Sequence, residues 1–349
     1  MMKNTLYNLL NKSILFPPLR KLYRFYRFCS NKIQYSMDYE KPVQLGKLNP
    51  NVTFFLIGYY QDSYFQRQGI ISTWLVFMPQ VLYAIDKGYI PIIDLQNNYK
   101  PMMLDKDNIG KFNAWDIYFK QAYNKYSLSE ILQSKNVIFA KQQGIELSKD
   151  IQWSNLPLSF NDFKLIRNML KYSELSDEII KRGDDFFVSS IPNGKKILGV
   201  SFRRGFERLH YFNSDLTPPG THLVRGTLED IIVHIKKALK ALKYEYFFFT
   251  ADDRESYDTI KKEFGDKCIY SQRPVYHMFE NNKPVPLAEV EQTWIEFYKR
   301  KNDVMLRGIE YLTDIYIISK CDSLLSAGGS SDLFAYVLNN KRYESVIRL

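Results

Sequence analysis

The sequence is poor in the residues that staple small proteins together or build metal sites. Its three cysteines, Cys29, Cys268 and Cys321, are odd in number and far apart. That argues against a disulfide framework and suits a reducing cytosol. Its four histidines, His210, His222, His234 and His277, have no Cys or second His at ligand spacing, so a structural zinc site is not expected. Gly 16 stands beside Tyr 26 and Phe 24, a balance that excludes disorder over most of the length. Long apolar runs are also scarce. Gln68 to Ile85, QGIISTWLVFMPQVLYAI, is nearly long enough to span a membrane. Pro79-Gln80 interrupts it and Asp86-Lys87-Gly88 ends it as a helix stop would, so a buried helix is expected.

Acidic residues are missing from one end. Residues 1–36 carry Lys3, Lys12, Arg20, Lys21, Arg24, Arg27 and Lys32 and no Asp or Glu, which accounts for most of the net charge of +10. Two short amphipathic pieces flank Pro17-Pro18, without the apolar core or cleavage site of a signal peptide. Bases interleaved with Leu, Phe and Tyr suit an anionic membrane surface; a solvated tail is the plain alternative. No nucleic-acid-reading module continues the charge, so nucleic acid is not an expected partner.

What remains is ordinary globular composition, 45% hydrophobic and 25% charged over 349 residues, enough for two domains. VTFFLIGYY and YIPIID read as buried parallel strands around the apolar helix, a βαβ unit. SLSEILQSKNVIFA reads as helix then strand. Residues 159–191 read as one long helix or two consecutive ones. SIPNGKK supplies Pro, Asn and Gly in a row and marks a boundary. The expected organisation is a basic segment 1–48, an α/β domain 49–192 and a second α/β domain 193–349. In the latter, KILGVSF, YEYFFFTAD, KCIYS and SLLSAGG are strands alternating with helices. Thr227 is the expected N-cap of the helix that follows it.

Three strand ends of the second half carry residues suited to a ligand, and ligands bind at such ends. Arg203-Arg204-Gly205 follows ILGVSF, and paired guanidinium forks match phosphate oxygens. Thr250-Ala251-Asp252-Asp253 follows YEYFFF; there Thr and Asp suit a ribose or base, or an N-cap at Asp253. Gly328-Gly329-Ser330-Ser331-Asp332 opens a helix with backbone N–H groups and hydroxyls aimed at an anion. Alone, each is as readily a turn or solvated surface. Together on one sheet edge they point to a nucleotide diphosphate site.

SFRRG, TADD and EYLTDIYIISKCDSLLSAGGSSDLFAYVLNN, in this order and spacing, resemble the three motifs of the fucosyltransferase superfamily over about residues 195–342. The superfamily holds α1,2-, α1,6- and protein O-fucosyltransferases and bacterial surface-polysaccharide enzymes. The resemblance implies a GT-B fold, two Rossmann-like domains facing across a cleft, with a nucleotide sugar, GDP-fucose, held by the C-terminal one. It implies Arg203 as the diphosphate clamp that stabilises charge on the leaving GDP, supported by Arg204 and Gly205. It makes Asp252 an acidic residue near the nucleotide, Asp314 an aspartate reading guanine, and Ser330 and Ser331 the serine pair that holds the phosphates; Thr250 and Asp332, from the strand-end motifs, complete the expected substrate-binding set. Ser201 stands where the family has His, and Phe206 or Glu207 where it has Asp.

Inverting transfer calls for a group to accept the acceptor's proton. Glu207, His210, Asp215 and His222 follow the arginines; Glu207 and His222 are the catalytic candidates beside Arg203, and His222 matches a histidine of the polysaccharide-cluster relatives. Asp105-Lys106-Asp107 has the Asp-x-Asp form but follows no long strand, so neither metal nor cofactor is expected. Tyr311, Leu312, Ile315 and Ile318 read as core. The expectation is an inverting glycosyltransferase acting on an oligosaccharide or lipid-linked glycan of a bacterial capsule or lipopolysaccharide, cytoplasmic and peripheral at the inner face of the plasma membrane. The alternatives are the same fold with GDP-mannose or a UDP-sugar, or a silent nucleotide- or glycan-binding member.

Overall fold

The computed structural model describes residues 41–58, 69–96, 104–140, 156–202, 227–275, 279–280, 283–284 and 300–349. The first half forms a three-stranded parallel sheet from β1 (Leu48–Gly58), β2 (Ile90–Asp94) and β3 (Ser134–Phe139), in the order β2-β1-β3. The central strand is buried on both faces, with Phe54, Phe55, Leu56 and Ile57 fully enclosed, as parallel sheets require. β2 is an edge, and two side-chain amides occupy its outward backbone groups. Asn113 bonds the Leu95 N–H (2.9 Å) and the Ile93 carbonyl (2.7 Å), while Gln121 bonds the Ile93 N–H (3.0 Å) and carbonyl (2.8 Å). The edge is thereby covered without another strand.

Helix α1 (Ile70–Asp86) joins β1 to β2 and is apolar nearly all round. The buried helix expected from sequence forms, and it continues through Pro79. Proline removes one backbone N–H and crowds the preceding turn; there the buried Gln80 turns its side chain back to donate to the Val76 carbonyl at 3.1 Å, and burial of the surrounding side chains holds the turn. Gly88, at φ 73, ends the segment. Short helices α2 (Ala114–Tyr118) and α3 (Leu128–Ile131) follow, capped by Asn113 and Ser127. Residues 159–191 resolve into two helices, α4 (Phe160–Leu170) and α5 (Asp177–Ser190).

The second half is a five-stranded parallel sheet. Its strands are β4 (Ile197–Ser201), β5 (Tyr246–Thr250), β6 (Cys268–Ile269), β9 (Ser323–Ser326) and β10 (Ser345–Arg348), ordered β10-β9-β4-β5-β6; β7 (Phe279–Glu280) and β8 (Lys283–Pro284) pair apart from it as an antiparallel ribbon. Its helices are α6 (Leu228–Leu242), α7 (Arg254–Phe264), α8 (Asp303–Lys320) and α9 (Ser330–Asn339). The α/β class expected from sequence is what forms. Thr227 and Asp230 close a capping box on α6, each side chain bonding the other's backbone N–H, which satisfies two of the helix's orphan donors.

One core joins the halves. Trp74 of α1 meets Phe334 of α9 edge to face at 5.1 Å between centroids, and Phe163 of α4 meets Tyr336 at 5.8 Å. Each such ring burial contributes on the order of 2 kcal/mol. On α5, Gly183 lets the Tyr316 ring lie against the helix: a Cβ there would come within 2.4 Å of Tyr316 Cδ1. Leu312, Ile315 and Ile318 of α8 are fully enclosed, and Tyr311 packs partly buried against the same core. Asp105 accepts from the Val304 N–H at 3.0 Å and the Met305 N–H at 3.4 Å. The Asp-x-Asp sequence thus supplies a cap for α8, where a carboxylate favours a helix start.

Candidate functional site

The site is built by register. Ser201, the last residue of β4, lies opposite Thr250, the last of β5, and opposite Ser326, the last of β9. Because all three strands run parallel, the motifs that follow them leave from one row at one edge. The ladder continues one step further, with the Phe202 N–H donating to the Thr250 carbonyl at 2.9 Å. Arg203, Arg204, Gly205, Glu207 and His222, with His210 and Asp215, lie outside the described residues.

After β9 the chain turns through Gly328 at φ 90 and Gly329 at φ 123. The second value, with ψ 172, falls in a region that glycine alone adopts readily. Gly329 is the N-cap of α9, and no side chain caps that helix. Its first N–H groups and the hydroxyls of half-exposed Ser330 and Ser331 open at the positive end of the helix dipole. An anion suits that position.

Asp332 is placed otherwise than the sequence led one to expect. Only 1% exposed, it is held inside the turn: Oδ2 accepts from the Ser326 hydroxyl at 2.6 Å and the Gly328 N–H at 2.9 Å. Its Oδ1 is buried without a hydrogen-bond partner among the described residues. Burial pushes its pKa up to about 6, against the pull of the Ser326 and Ser201 hydroxyls and of backbone N–H groups at Gly328 and Ala327. Asp332 therefore shapes the glycine turn from behind.

The β5 end has the same layered construction. Asp253 caps α7, accepting from the Ser256 N–H at 2.8 Å and its hydroxyl at 2.7 Å. The Thr250 hydroxyl points inward and donates to Asp314 Oδ2 at 2.7 Å. Asp314, on α8, is fully buried and receives two further donors, Ser271 Oγ at 2.6 Å and Arg273 Nε at 2.6 Å. Both of its oxygens are thus engaged inside the protein, so Asp314 supports the edge and does not face a base directly. Burial raises its pKa, and Arg273, Ser271 and Thr250 pull it back. Burial likewise opposes the Arg273 charge, but the nearby Tyr257 and Asp314 more than offset this and raise its pKa above the usual value. Of the expected contacts at these two strand ends, half-exposed Asp252, Ser330 and Ser331 lie at the surface of the edge, while Thr250, Asp314 and Asp332 lie behind it.

Ser271 and Arg273 were not anticipated. The available signal was Ser-x-Arg directly after KCIY, a fourth strand ending beside β5. Among the described residues no group of three or more His, Cys, Asp or Glu is placed to hold a metal ion, and no helix is long and apolar enough to cross a membrane.

No family model matches the sequence and no curated protein matches it. Among solved structures, the fucosyltransferase NodZ from Bradyrhizobium is similar at 17% identity over 82% of this chain and 93% of that one, with a TM-score of 0.45. The NodZ alpha-1,6-fucosyltransferase soaked with GDP-fucose is similar at 15% identity over 82% and 92%, with a TM-score of 0.43. POFUT1 in complex with GDP is similar at 8% identity over 86% and 98%, with a TM-score of 0.47.

Proposed function

We propose that this chain is a GT-B glycosyltransferase that takes fucose from GDP-fucose, with inversion and without a metal, and passes it to a glycan acceptor. The observation that carries the reading is the register of Ser201, Thr250 and Ser326. It brings the ends of β4, β5 and β9 to one edge, with the Thr-Ala-Asp-Asp and Gly-Gly-Ser-Ser motifs and an uncapped helix start on it, and the Arg-Arg-Gly motif follows β4 in sequence. In the reaction, the acceptor oxygen attacks the anomeric carbon as the bond from that carbon to the phosphate oxygen breaks. GDP leaves with the electron pair, and the acceptor's proton passes to a base, with Glu207 and His222 as candidates. The N–H groups and hydroxyls at the start of α9, together with Arg203, would stabilise the departing diphosphate.

A second reading keeps the fold and changes the donor to GDP-mannose or a UDP-sugar. It is favoured by Ser201, a hydroxyl beside Asp332 where the superfamily has an imidazole. On either reading, residues 1–36 would hold the enzyme against anionic headgroups beside a lipid-linked acceptor of surface-polysaccharide assembly.

Melting temperature measured with GDP, UDP, GDP-fucose and GDP-mannose tests the reading, since a ligand of the native state stabilises by mass action. GDP and GDP-fucose should give the largest shifts, accompanied by slow hydrolysis of GDP-fucose. A larger shift with GDP-mannose or a UDP nucleotide would favour the second reading. No shift with any nucleotide, and no hydrolysis, would leave the protein outside this enzyme class.

A further inference from the structure

One enclosed charge at the candidate edge belongs to no motif. Arg273 lies in the segment after β6, with 9% of its side chain exposed against 1% for Asp314. Its Nε bonds Asp314, while Nη2 bonds the Ala251 carbonyl and reaches Thr250 Oγ1 at 3.4 Å. Ser271, two residues earlier, bonds the other oxygen of Asp314. On the far side of Ala251, its N–H donates to the Tyr257 hydroxyl at 3.0 Å. One guanidinium therefore clips three pieces of chain together: the segment after β6, the end of β5, and α8. Ala251 is held on both its backbone groups, which fixes where Asp252 emerges at the surface.

We propose that Arg273 is the positioning residue of the donor-binding edge. Through Asp314, Thr250 and the Ala251 carbonyl it holds residues 250–252 in the geometry that a nucleoside diphosphate meets. The inference rests on the reading of this edge as a nucleotide-sugar site. A planar fork is needed for the task, because one side chain must bond a carboxylate and a backbone carbonyl at once. Lysine keeps the charge but loses the fork.

The test uses the full-length chain, with GDP-fucose hydrolysis by water as the readout. Arg273→Lys should raise KM for GDP-fucose roughly tenfold, as the loss of one charge-assisted hydrogen bond would. The kcat should stay within about twofold of wild type, since the reacting groups lie elsewhere. The double variant Arg273→Met with Asp314→Asn leaves no unpaired buried charge and should show the same rise in KM. A residue that is merely structural would lower the melting temperature and leave KM unchanged. Hydrogen exchange on the wild type gives a reading independent of either variant. GDP should slow exchange at the amides of Ala251, Asp252 and Arg273. If the wild type binds GDP but these amides are not protected, or a folded variant keeps the wild-type KM, the positioning role is overturned. If the wild type binds no nucleotide, the enzyme reading falls first, and the role with it.

Discussion

The Ser326 hydroxyl donates to Asp332 Oδ2 at 2.6 Å, tying the last residue of β9 to the first turn of α9 across the Gly328-Gly329 turn. The same carboxylate oxygen receives the Gly328 N–H. A buried acid therefore sets the shape of a backbone turn that the ligand would meet from the other side.

That acid should register in the pH dependence of stability. With its folded pKa pushed up to about 6, above the roughly 3.9 of a free aspartate, the folded state keeps a proton that the unfolded state has released. The stability contribution is complete below about pH 4 and is lost as pH rises through about 6, amounting to at most about 3 kcal/mol. Urea denaturation from pH 4 to 7 should show wild type losing this increment relative to Asp332→Asn, which has no proton to release. Parallel curves for the two proteins would contradict the assignment.

Gly329→Ala isolates the backbone. Among the described residues nothing lies within 4 Å of where a Cβ would sit, so the expected cost arises from φ +123. About 1–3 kcal/mol of destabilisation is expected, along with a weaker GDP-induced shift as the N–H groups of α9 turn away. Thermal denaturation with and without GDP reads both effects.

Arg203→Ala tests the expected clamp. Removing a group that stabilises charge on the leaving diphosphate should lower kcat for GDP-fucose hydrolysis by about 10²–10³-fold. The melting temperature without ligand should stay close to wild type. A variant retaining wild-type kcat would remove Arg203 from the chemistry.

Deleting residues 1–36 separates location from catalysis. That segment carries seven Lys and Arg and no acid. Its loss should abolish co-sedimentation with phosphatidylserine-containing vesicles at moderate salt while leaving hydrolysis of GDP-fucose unchanged. Equal vesicle binding by the truncated chain would refute a membrane role for this segment.

Much of the second half could be read from sequence because its signals are local. Thr227 and Asp253 sit where helix caps belong, and both cap. Gly265 ends α7. The glycine pair after β9 occupies the positive-φ positions that its turn requires. What escaped depends on contacts distant in sequence. β10 is four residues at the chain end and gains meaning only from pairing with β9. Arg273 follows a two-residue strand and acquires its role from Asp314, forty-one residues away. Thr250, Asp314 and Asp332 were read as ligand contacts from strand-end position and motif resemblance, and neither tells which way a side chain faces.

The Pro-Asn-Gly boundary near residue 192 divides the sequence but not the interior. Phe334 of α9 closes over Trp74 and also lies 6.1 Å from Phe119 between ring centroids, and α8 fills the space beside α5. A polypeptide cut after residue 192 would lose Phe334 and Tyr336 from against Trp74, Phe119 and Phe163. The two sheets are therefore made as one article: each half supplies the other's missing wall, and neither should survive expression by itself.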